Sequence, residues 1–512
     1  MTDVLVVGGG PVGLLLAGEL RLAGLAPLVL EAADGTGRRA RSLGLRGLNA
    51  RSTQSLRLRG LTGPLARVQQ ETFERVNAAR GDGDAGAAPV PALRSARARG
   101  HFGGLMLYEE GAGENTVQRE PHLLRQHLFE RFLLDWASGL GVRIWHGSQV
   151  VDVVDDGEAV LAVLADGRTL RAPYLVGCDG GHSTVRKRAG IAFPGTEPTM
   201  TGRVAMAEVA DPAALPSNPR GPGGTVTVSP LIPGEITTME FDDGPGDRTA
   251  PVTLEEMQAS IRRAAGVDVT LTGLTVGSRY SDNARQAATY REGRILLAGD
   301  AAHVHSPIGG QGLNLGMQDA MNLGWKLALV VRGLAPDSLL DTYTAERHPI
   351  GERVLRNSRA QVALMRPGPQ VEALREVLAE VLGIPAVMRH FVAMANSTEI
   401  DYAPGSTHPL VGRFMPDLDP GTWNLAAVPL RQGRAVLMDL AGSAEIRAAA
   451  AGYSDRVRIV TASGASCGEP AGLLIRPDGY VAWARTTADP EGLAEALTSW
   501  FGVPATTAVP RS

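Results

Sequence analysis

The spacing of hydrophobic and polar positions predicts a strand–helix–strand unit at the start of the chain. The apolar run Val4–Val7 is typical of a buried parallel strand. The glycine-rich stretch GGGPVG follows it, then LLLAGELRLAG with apolar residues on one helical face, and then a second apolar run, APLVLEA. Elements in this order predict a parallel βαβ unit.

The same patterns predict the elements of the remaining chain. Helices are predicted at residues 48–61, 123–139 and 313–332. Strands are predicted at residues 142–145, 150–154, 159–164, 169–176 and 294–298. Residues 76–100 are rich in Ala, Gly, Pro and Arg and are predicted to be irregular, whereas 200–280 is predicted to be β-rich. After a break near 390–410, the last hundred or so residues are predicted to form a small α/β domain.

Composition and charge exclude several classes of protein. The chain has 512 residues, which is too long for one compact domain, so two or three domains are expected. The net charge is −4 and the arginines are spread out, so neither nucleic acid nor an anionic membrane is expected as a partner. The two cysteines, Cys178 and Cys467, form no CxxC, so no disulfide framework and no metal site are expected.

The hydropathy of the N-terminal region favours a cytoplasmic protein. The longest apolar stretch, residues 14–30, is interrupted by Glu19, Arg21 and glycines, so it is not predicted to span a membrane. A strand begins almost at once, and no signal peptide is expected before it.

The first glycine cluster predicts a dinucleotide site. Gly8, Gly10 and Gly13 form G-x-G-x-x-G between a strand and a helix. The first glycine permits a tight turn, the second lets the backbone approach a pyrophosphate, and the third allows helix and strand to pack closely. Glu31 ends the second strand, where a carboxylate accepts hydrogen bonds from ribose hydroxyls. A glycine turn without a ligand would not need this context, but the motif does not separate FAD from NAD.

Two later motifs favour a flavin. The strand ILLAGD ends in Asp300, at the crevice where such sheets bind ligands. The following GGQGLN bares backbone N–H groups at a helix N-terminus, where they can stabilise negative charge on a reduced flavin ring. Asp179 and Gly180 lie where another strand meets a helix, and Ser183 follows. An acid or serine there is also explained as a helix cap, and an Asp-Gly pair taken alone is more often an ordinary turn.

The ordered motifs GxGxxG, DG and GDAAHxxxPxGGQGLNxGxxDAxNLxWKL resemble the class A flavoprotein aromatic hydroxylases, the family of para-hydroxybenzoate and phenol hydroxylases. The resemblance covers about residues 1–360 and is closer to actinobacterial hydroxylases of aromatic polyketides and of rifampicin. It implies an α/β fold with a Rossmann-like FAD-binding domain of the para-hydroxybenzoate hydroxylase type, an inserted β-sheet substrate domain and a C-terminal thioredoxin-like domain. GLLIRPDGYVAWAR resembles the strand pair of the last domain, which lacks a redox CxxC and is therefore expected to be structural.

The resemblance also implies domain boundaries. The FAD-binding domain would comprise 1–75, 101–180 and 281–390, and the substrate domain 76–100 and 181–280. The C-terminal domain would comprise 400–512. No helix shows a sustained heptad seam, so the sequence leaves the oligomeric state open between a monomer and a homodimer.

Roles for individual residues follow from the resemblance. The pyrophosphate of FAD would be held by Gly8, Gly10, Pro11, Val12 and Gly13, and the adenosine ribose by Glu31. Asp300 would bind the ribityl chain, and Pro307 would border the flavin ring. Backbone N–H groups would face the ring from Gly310, Gly312, Leu313 and Asn314. Asp179 would lie near the pyrophosphate and the approach path of NAD(P)H. An arginine soon after the second strand would meet the cofactor, with Arg41 favoured and Arg46 second.

The resemblance implies that NADPH or NADH reduces FAD, that O2 adds at the flavin C4a, and that the hydroperoxide hydroxylates a phenolic ring. The flavin carries the difficult step and the protein positions it. No second fingerprint for nicotinamide occurs, which fits a cofactor that binds transiently. Arg38 and Arg39 could meet its phosphates or could equally be solvated surface residues.

The predicted substrate sheet, about 195–280, supplies apolar residues for a broad slot that would take a polycyclic aromatic substrate. Its candidates are Val204, Met206, Val226, Val228, Ile232 and Met239. Their alternate spacing nevertheless indicates sheet core first of all. No base is identified, because His303 and His305 lie in the flavin motif and nothing selects among His101, His122 and His127.

The leading hypothesis is therefore hydroxylation of a polycyclic aromatic polyketide. Alternatives within the same fold are Baeyer–Villiger oxygenation of a polyketide and oxidative inactivation of an antibiotic such as rifampicin or a tetracycline. A halogenase is disfavoured because the G-x-W-x-W-x-I-P stretch is absent and both lysines, Lys187 and Lys326, lie in or beside flavin motifs. A flavin-binding module without activity is disfavoured by the long insertion between the second and third motifs.

Overall fold

The computed structural model describes residues 2–35, 43–80, 98–108, 122–229, 232–247, 250–418, 420–462 and 470–504. Its helices are α1 (Pro11–Leu22), α2 (Ala50–Leu58), α3 (Thr62–Arg80), α4 (Gln126–Gly139), α5 (Thr184–Arg188), α6 (Leu254–Ala265), α7 (Gln311–Val331), α8 (Asp341–Met365), α9 (Pro369–Leu382), α10 (Pro385–Ala395), α11 (Pro420–Arg431), α12 (Ala444–Ala449) and α13 (Leu493–Phe501).

The strands, in chain order, are β1 (Val4–Val7), β2 (Pro27–Leu30), β3 (Leu45–Leu48), β4 (Ala98–Phe102), β5 (Leu105–Tyr108), β6 (His122–Arg125), β7 (Arg143–Trp145), β8 (Val150–Asp155), β9 (Val160–Leu164), β10 (Thr169–Ala172), β11 (Tyr174–Gly177), β12 (Gly195–Thr196), β13 (Thr201–Val209), β14 (Arg220–Gly221), β15 (Gly224–Val228), β16 (Glu235–Glu240), β17 (Leu271–Ser281), β18 (Ala284–Gln286), β19 (Arg291–Glu292), β20 (Ile295–Leu297), β21 (His303–Val304), β22 (Ala435–Asp439), β23 (Val457–Thr461), β24 (Gly472–Ile475) and β25 (Val481–Arg485).

The central sheet has the order β19-β20-β11-β1-β2-β7, and its strands are parallel except for β19. Strand β1 is apolar throughout and buried, as expected for a parallel strand covered on both faces. Because β20, β11 and β1 are neighbours and parallel, the loops that follow them meet at one edge of the sheet. Those loops carry the AGD, CDGG and GGGPVG motifs, so the fold brings the three motifs together.

A second, antiparallel sheet has the order β14-β15-β16-β13-β17 and is covered on one face by α6. Ala205, Val226 and Ile236 of this sheet pack against Met257 and Ile261 of the helix. Side chains alternate along a strand, so the residues between them point to the opposite face. We call this opposite face the open face; it carries Val204, Met206, Glu235, Thr237, Met239 and Tyr280.

The C-terminal part of the chain forms a sheet of order β23-β22-β24-β25, with β24 and β25 antiparallel. Its core includes Leu437, Trp483 and Phe501, and it continues into Trp325 and Leu329 of α7. The C-terminal unit is thus packed directly on α7, the first long helix after the last strand of the central sheet.

Several predicted boundaries are wrong in detail. The helix predicted at 123–139 begins at Gln126, because residues 122–125 form β6 and pair with β3. The strand predicted at 169–176 is two strands in different sheets. Helix α6 lies within the region predicted to be β-rich, although Thr253 and Glu256 form a capping-box pattern that marks its start.

The predicted domain limits also divide single elements. The limit at 75/76 falls within α3, which continues to Arg80 through residues predicted to be irregular. The limit at 100/101 falls within the β4–β5 hairpin. Helix α5, assigned to the substrate domain, packs on the core of the central sheet through Val185.

Within the described ranges, no single helix has the length and apolar composition of a membrane span. Helices α9 and α10 reach that length and composition only when they are taken together, and they are bent by 105° relative to each other.

Candidate functional site

A cleft of about 480 Å³ lies at the edge of the central sheet where the three motif loops meet. The loops after β1 and β20 and the start of α7 form most of its wall, and β3 and α4 close the other side. Its lining residues are Gly10, Pro11, Val12, Leu45, Arg46, Gly47, Gln126, Glu130, Cys178, Gly180, Ala298, Asp300, Val304, His305, Ser306, Pro307, Gly310, Gly312 and Leu313. The two glycine clusters of the sequence therefore border the same space.

The three glycines after β1 differ in what surrounds them. A Cβ on Gly8 would lie 2.3 Å from the carbonyl oxygen of Cys178, and one on Gly13 would lie 2.0 Å from that of Gly8. A Cβ on Gly10 would meet nothing within 4 Å. Gly8 and Gly13 are thus packing positions, whereas Gly10 opens to the cleft at the N-terminus of α1. This is the cradle that a pyrophosphate requires.

Glu31 follows β2 beside this cradle and is nearly buried. Its Oε2 accepts a hydrogen bond from the Gly9 N–H at 2.7 Å, and its Oε1 accepts one from the Ala33 N–H at 3.0 Å. The carboxylate is therefore fixed against the glycine loop, and its contact with a ribose stays a prediction.

Asp300 sits in a single 3₁₀ turn after β20, with its side chain exposed to the cleft and walls of protein around it. Those walls raise the pKa of Asp300 above its ordinary value, and the nearby His303 and Arg46 charges oppose the increase. The carboxylate thus has the exposure of a ligand-binding group, in contrast to a buried structural acid.

The start of α7 is shaped by two glycines with positive φ, Gly309 at 81° and Gly310 at 63°. Gly310 is the N-cap, and no side chain caps the helix. Backbone N–H groups of the first turn of α7 therefore remain without a side-chain cap at the cleft, near Pro307, Gly312 and Leu313.

The side chain of Asn314 joins this loop to the opposite wall. Its Oδ1 accepts from the Asn49 N–H at 2.9 Å, and its Nδ2 donates to the carbonyls of Gly47 and Gly310, both at 2.8 Å. Asn314 is 4% exposed. The sequence predicted only a backbone contribution here, whereas the structure shows a buried link between two walls of the cleft.

Replacing Asn314 by aspartate should destabilise the protein by about 1–3 kcal/mol, because an oxygen would then face two carbonyl oxygens in a buried position. The acceptor for Asn49 would be retained. Urea unfolding measures the effect, and Asn218→Asp is the control, since exposed Asn218 only accepts from the Arg220 N–H. Equal stability of the two variants would contradict this assignment.

Asp179 does not line the cleft, although its neighbours Cys178 and Gly180 do. Its Oδ2 accepts from the N–H groups of Thr184 and Val185 at 2.7 and 3.1 Å, and its Oδ1 accepts from the Ser183 hydroxyl at 2.5 Å. The cap explanation of this acid therefore accounts for its carboxylate.

Of the arginines predicted to meet the cofactors, only Arg46 lies within the described residues. Arg38, Arg39 and Arg41 lie outside them, whereas Arg46 on β3 lines the cleft. Arg46 Nε donates to Gln126 Oε1 at 3.0 Å. Burial lowers the pKa of Arg46, and the charges of Glu235, Asp300 and Glu130 oppose that change. Sequence reasoning missed Gln126 and Glu130, which no motif marks.

A buried ionic cluster holds the turn that precedes the cleft residue Asp300. The sequence did not predict this cluster. Asp319 Oδ2 accepts from the Gly299 N–H at 3.1 Å and is 2.7 Å from His303 Nε2, while Oδ1 accepts from Arg347 Nε at 2.8 Å. Asp319 and Arg347 are each 0% exposed. Because Gly299 precedes Asp300, this cluster fixes the turn that presents Asp300.

The histidines of the motif have structural partners. His303 belongs to the Asp319 cluster, and His305 Nδ1 lies 2.8 Å from the Ser306 carbonyl oxygen. Burial lowers the pKa of His305 to about 4. The lining of the cleft given above does not include His101, His122 or His127.

The predicted slot residues do not share one face. Val204, Met206 and Met239 lie on the open face. Val226 is on the opposite face, in the core under α6, and Val228 is 40% exposed. Ile232 lies in the turn before β16 and is buried.

Known flavoproteins and two family models match nearly the whole chain. The family model "FAD binding domain" matches residues 1–358, and "Aromatic-ring hydroxylase, C-terminal" matches residues 408–504. A rifampicin monooxygenase from Streptomyces venezuelae is 39% identical over 98% of this chain and 99% of its own length. OxyS, an anhydrotetracycline hydroxylase from Streptomyces rimosus, is 37% identical with a TM-score of 0.84, covering 98% of this chain and 99% of that one. CabE, an aromatic hydroxylase from angucycline biosynthesis, is 38% identical with a TM-score of 0.82 over the same shares, 98% and 99%.

Proposed function

Because the chain belongs to the family of FAD-dependent aromatic-ring hydroxylases, we propose that it is an NAD(P)H-consuming monooxygenase that hydroxylates a polycyclic aromatic polyketide. The observation that carries the proposal is the single cleft formed by the loops after β1 and β20 and the start of α7. Bound FAD supplies the two-electron chemistry with NAD(P)H and the activation of O2 that this reaction needs.

The residues of the cleft, together with Glu31 beside it, suit the different parts of FAD. Gly10, Pro11 and Val12 offer the N-terminus of α1 to the pyrophosphate, and Glu31 lies where the adenosine ribose would bind. Asp300 is exposed to accept hydrogen bonds from ribityl hydroxyls. The backbone N–H groups at the start of α7 would face the ring, and Pro307 would border it.

Two further assignments concern Arg46 and Asp179. Arg46, the second of the two arginines that the sequence favoured, would meet the cofactor because it lines the cleft, while Arg41 lies outside the described residues and stays a prediction. Asp179 would position the loop of Cys178 and Gly180 through its cap of α5, without touching the cofactor. We assign substrate to the open face of the second sheet, and a structural role to the C-terminal unit.

Stopped-flow absorbance of the yellow protein tests the function. NADPH is mixed anaerobically with the protein, with and without anthracyclines, angucyclines, tetracyclines and rifampicin. We expect one of these aromatic scaffolds to accelerate flavin bleaching, and oxygen then to be consumed with one oxygen atom gained by the product. A product ester instead of a new phenol would identify Baeyer–Villiger oxygenation. A protein that binds no FAD, or consumes no oxygen with any scaffold, would contradict the proposal.

A further inference from the structure

The open face carries a carboxylate at the point where it meets the cleft. Glu235 is the first residue of β16 and pairs with Met206 of β13, so both side chains share the open face. Glu235 Oε2 accepts a hydrogen bond from the Gly44 N–H at 2.8 Å. Gly44 directly precedes β3, whose residues 45–47 line the cleft. Glu235 therefore stands between the surface assigned to substrate and the cleft assigned to FAD.

One oxygen of the Glu235 carboxylate is held by a hydrogen bond, and the other can accept a proton or a further hydrogen bond. The Gly44 N–H anchors Oε2, and no hydrogen bond to Oε1 occurs within the described part of the chain. The whole residue is 6% exposed. A largely buried carboxylate with one anchored oxygen has a fixed orientation, which a proton acceptor needs.

The charges that face Glu235 come from two elements. Arg46 on β3 and Arg125 at the end of β6 attract its negative form, and Arg46 also interacts with the charges of Asp300 and Glu130. Burial nevertheless outweighs both arginines and the Gly44 N–H, so the pKa of Glu235 lies above its ordinary value. A raised carboxyl pKa brings the group closer to the pKa of a phenol and improves it as a base.

We propose that Glu235 is a catalytic base that accepts a proton from a phenol hydroxyl of the substrate, an inference that rests on the proposed function. The phenol O–H bond breaks, an O–H bond forms on Glu235 Oε1, and the electron pair stays on the phenolate oxygen. That pair enriches the ortho and para carbons of the ring, which are the carbons that an electrophilic oxygen donor attacks. The substrate class is therefore a polycycle with a phenol beside, or para to, the carbon that is hydroxylated.

The test is the variant Glu235→Gln, which keeps an oxygen to accept from Gly44 but cannot take up the proton. The probe is alizarin, a dihydroxyanthraquinone whose phenolate absorbs at longer wavelength than its phenol. We expect the wild type to bind it as the phenolate below the pH at which free alizarin ionises, and the variant to bind the phenol. The hydroxylation rate of the variant on the best substrate should fall about 100-fold, with the deficit shrinking as pH ionises the substrate.

Controls separate this role from others. Glu197→Gln makes the same change at an exposed residue that pairs with Arg285, and should leave the alizarin spectrum unchanged. Glu235→Asp retains a carboxylate and should retain the phenolate spectrum. FAD content and anaerobic reduction by NADPH should be the same in Glu235→Gln as in the wild type, so a failure of the proposed function would appear there in both proteins.

Three outcomes would overturn the inference. One is a phenolate spectrum in Glu235→Gln equal to that of the wild type, and another is a hydroxylation rate that does not fall. The third is a wild type that does not bind alizarin, because the open face would then not accept a phenolic polycycle.

Discussion

Replacing Asp319 by asparagine should destabilise the protein by about 3–5 kcal/mol, the usual cost of removing one partner of a buried ion pair. The variant would leave the Arg347 guanidinium buried without its carboxylate, although Arg347 would keep the Tyr402 hydroxyl and the Leu315 carbonyl, each at 3.0 Å. FAD content should also fall, because the Gly299 N–H would lose the charged acceptor that holds the turn of Asp300.

Urea unfolding and the ratio of FAD to protein after purification measure these effects. Asp135→Asn is the matched control, since Asp135 is 61% exposed and pairs with Arg131 one helical turn away. An exposed pair of this kind contributes about 0–1 kcal/mol. If the free energy of unfolding falls no more in Asp319→Asn than in Asp135→Asn, the cluster around Asp319 does not stabilise the fold.

The same cluster predicts a dependence on pH. Burial raises the pKa of Asp319, but His303 and Arg347 outweigh burial, so the pKa lies below its ordinary value. A depressed folded pKa gives stability that is fully present above the unfolded pKa of about 3.9 and is lost as pH falls through the folded value. Below about pH 4 the difference in stability between wild type and Asp319→Asn should therefore narrow, which acid titration of unfolding would show.

The sequence predicted the central sheet and the three motif loops because each depends on local constraints. The turn at Gly8 and the close packing at Gly13 exclude a side chain, and the apolar run of β1 is buried on both faces. Such requirements leave a pattern in a few adjacent residues, and that pattern is readable without a structure.

Other features depend on partners far apart in the chain. Asn314 bonds to Asn49, which lies 265 residues away, and Arg347 pairs with Asp319 across 28 residues. Neither pair has a spacing that predicts contact. Glu235 is similar, because its role depends on which face of β16 it occupies and on Gly44, 191 residues away.

The face of a strand was the hardest feature to predict. Val226 and Met239 looked alike as apolar positions, yet register places Val226 under α6 and Met239 on the open face. A shift of one residue exchanges the two faces, and composition does not determine that shift.

Replacing Glu346 by glutamine should weaken the contact of the C-terminal unit with α7 and α8. The free energy of unfolding should fall by about 3–5 kcal/mol. Its Oε1 accepts from Arg476 NH1 at 2.5 Å and its Oε2 accepts from Lys326 Nζ at 2.8 Å. Arg476 and Lys326 are 2% and 0% exposed. The variant would leave these two cations with the single carboxylate of Asp478, which pairs with Arg476.

The stability lost in Glu346→Gln should depend on pH, because Lys326 changes its protonation. Burial lowers the pKa of Lys326 to about 8, while the Glu346 charge opposes that change. Without Glu346 the pKa of Lys326 falls further, so the variant sheds this buried charge at a lower pH than the wild type. A group with a lowered folded pKa binds fewer protons when folded, and stability then rises with pH. The deficit of Glu346→Gln should therefore be larger at pH 6 than at pH 9.

Unfolding followed by tryptophan fluorescence checks this result, because Trp325 and Trp500 lie at the junction with ring centroids 6.1 Å apart. Glu380→Gln, at an exposed position of α9, is the control and should change stability by no more than about 0.5 kcal/mol. A Glu346→Gln deficit that is small, or that does not shrink at alkaline pH, would mean that apolar contacts such as Trp325 with Phe501 hold the unit in place. A large and pH-dependent deficit would instead show that buried ions fasten a domain without a redox CxxC to the helix that begins at the cleft.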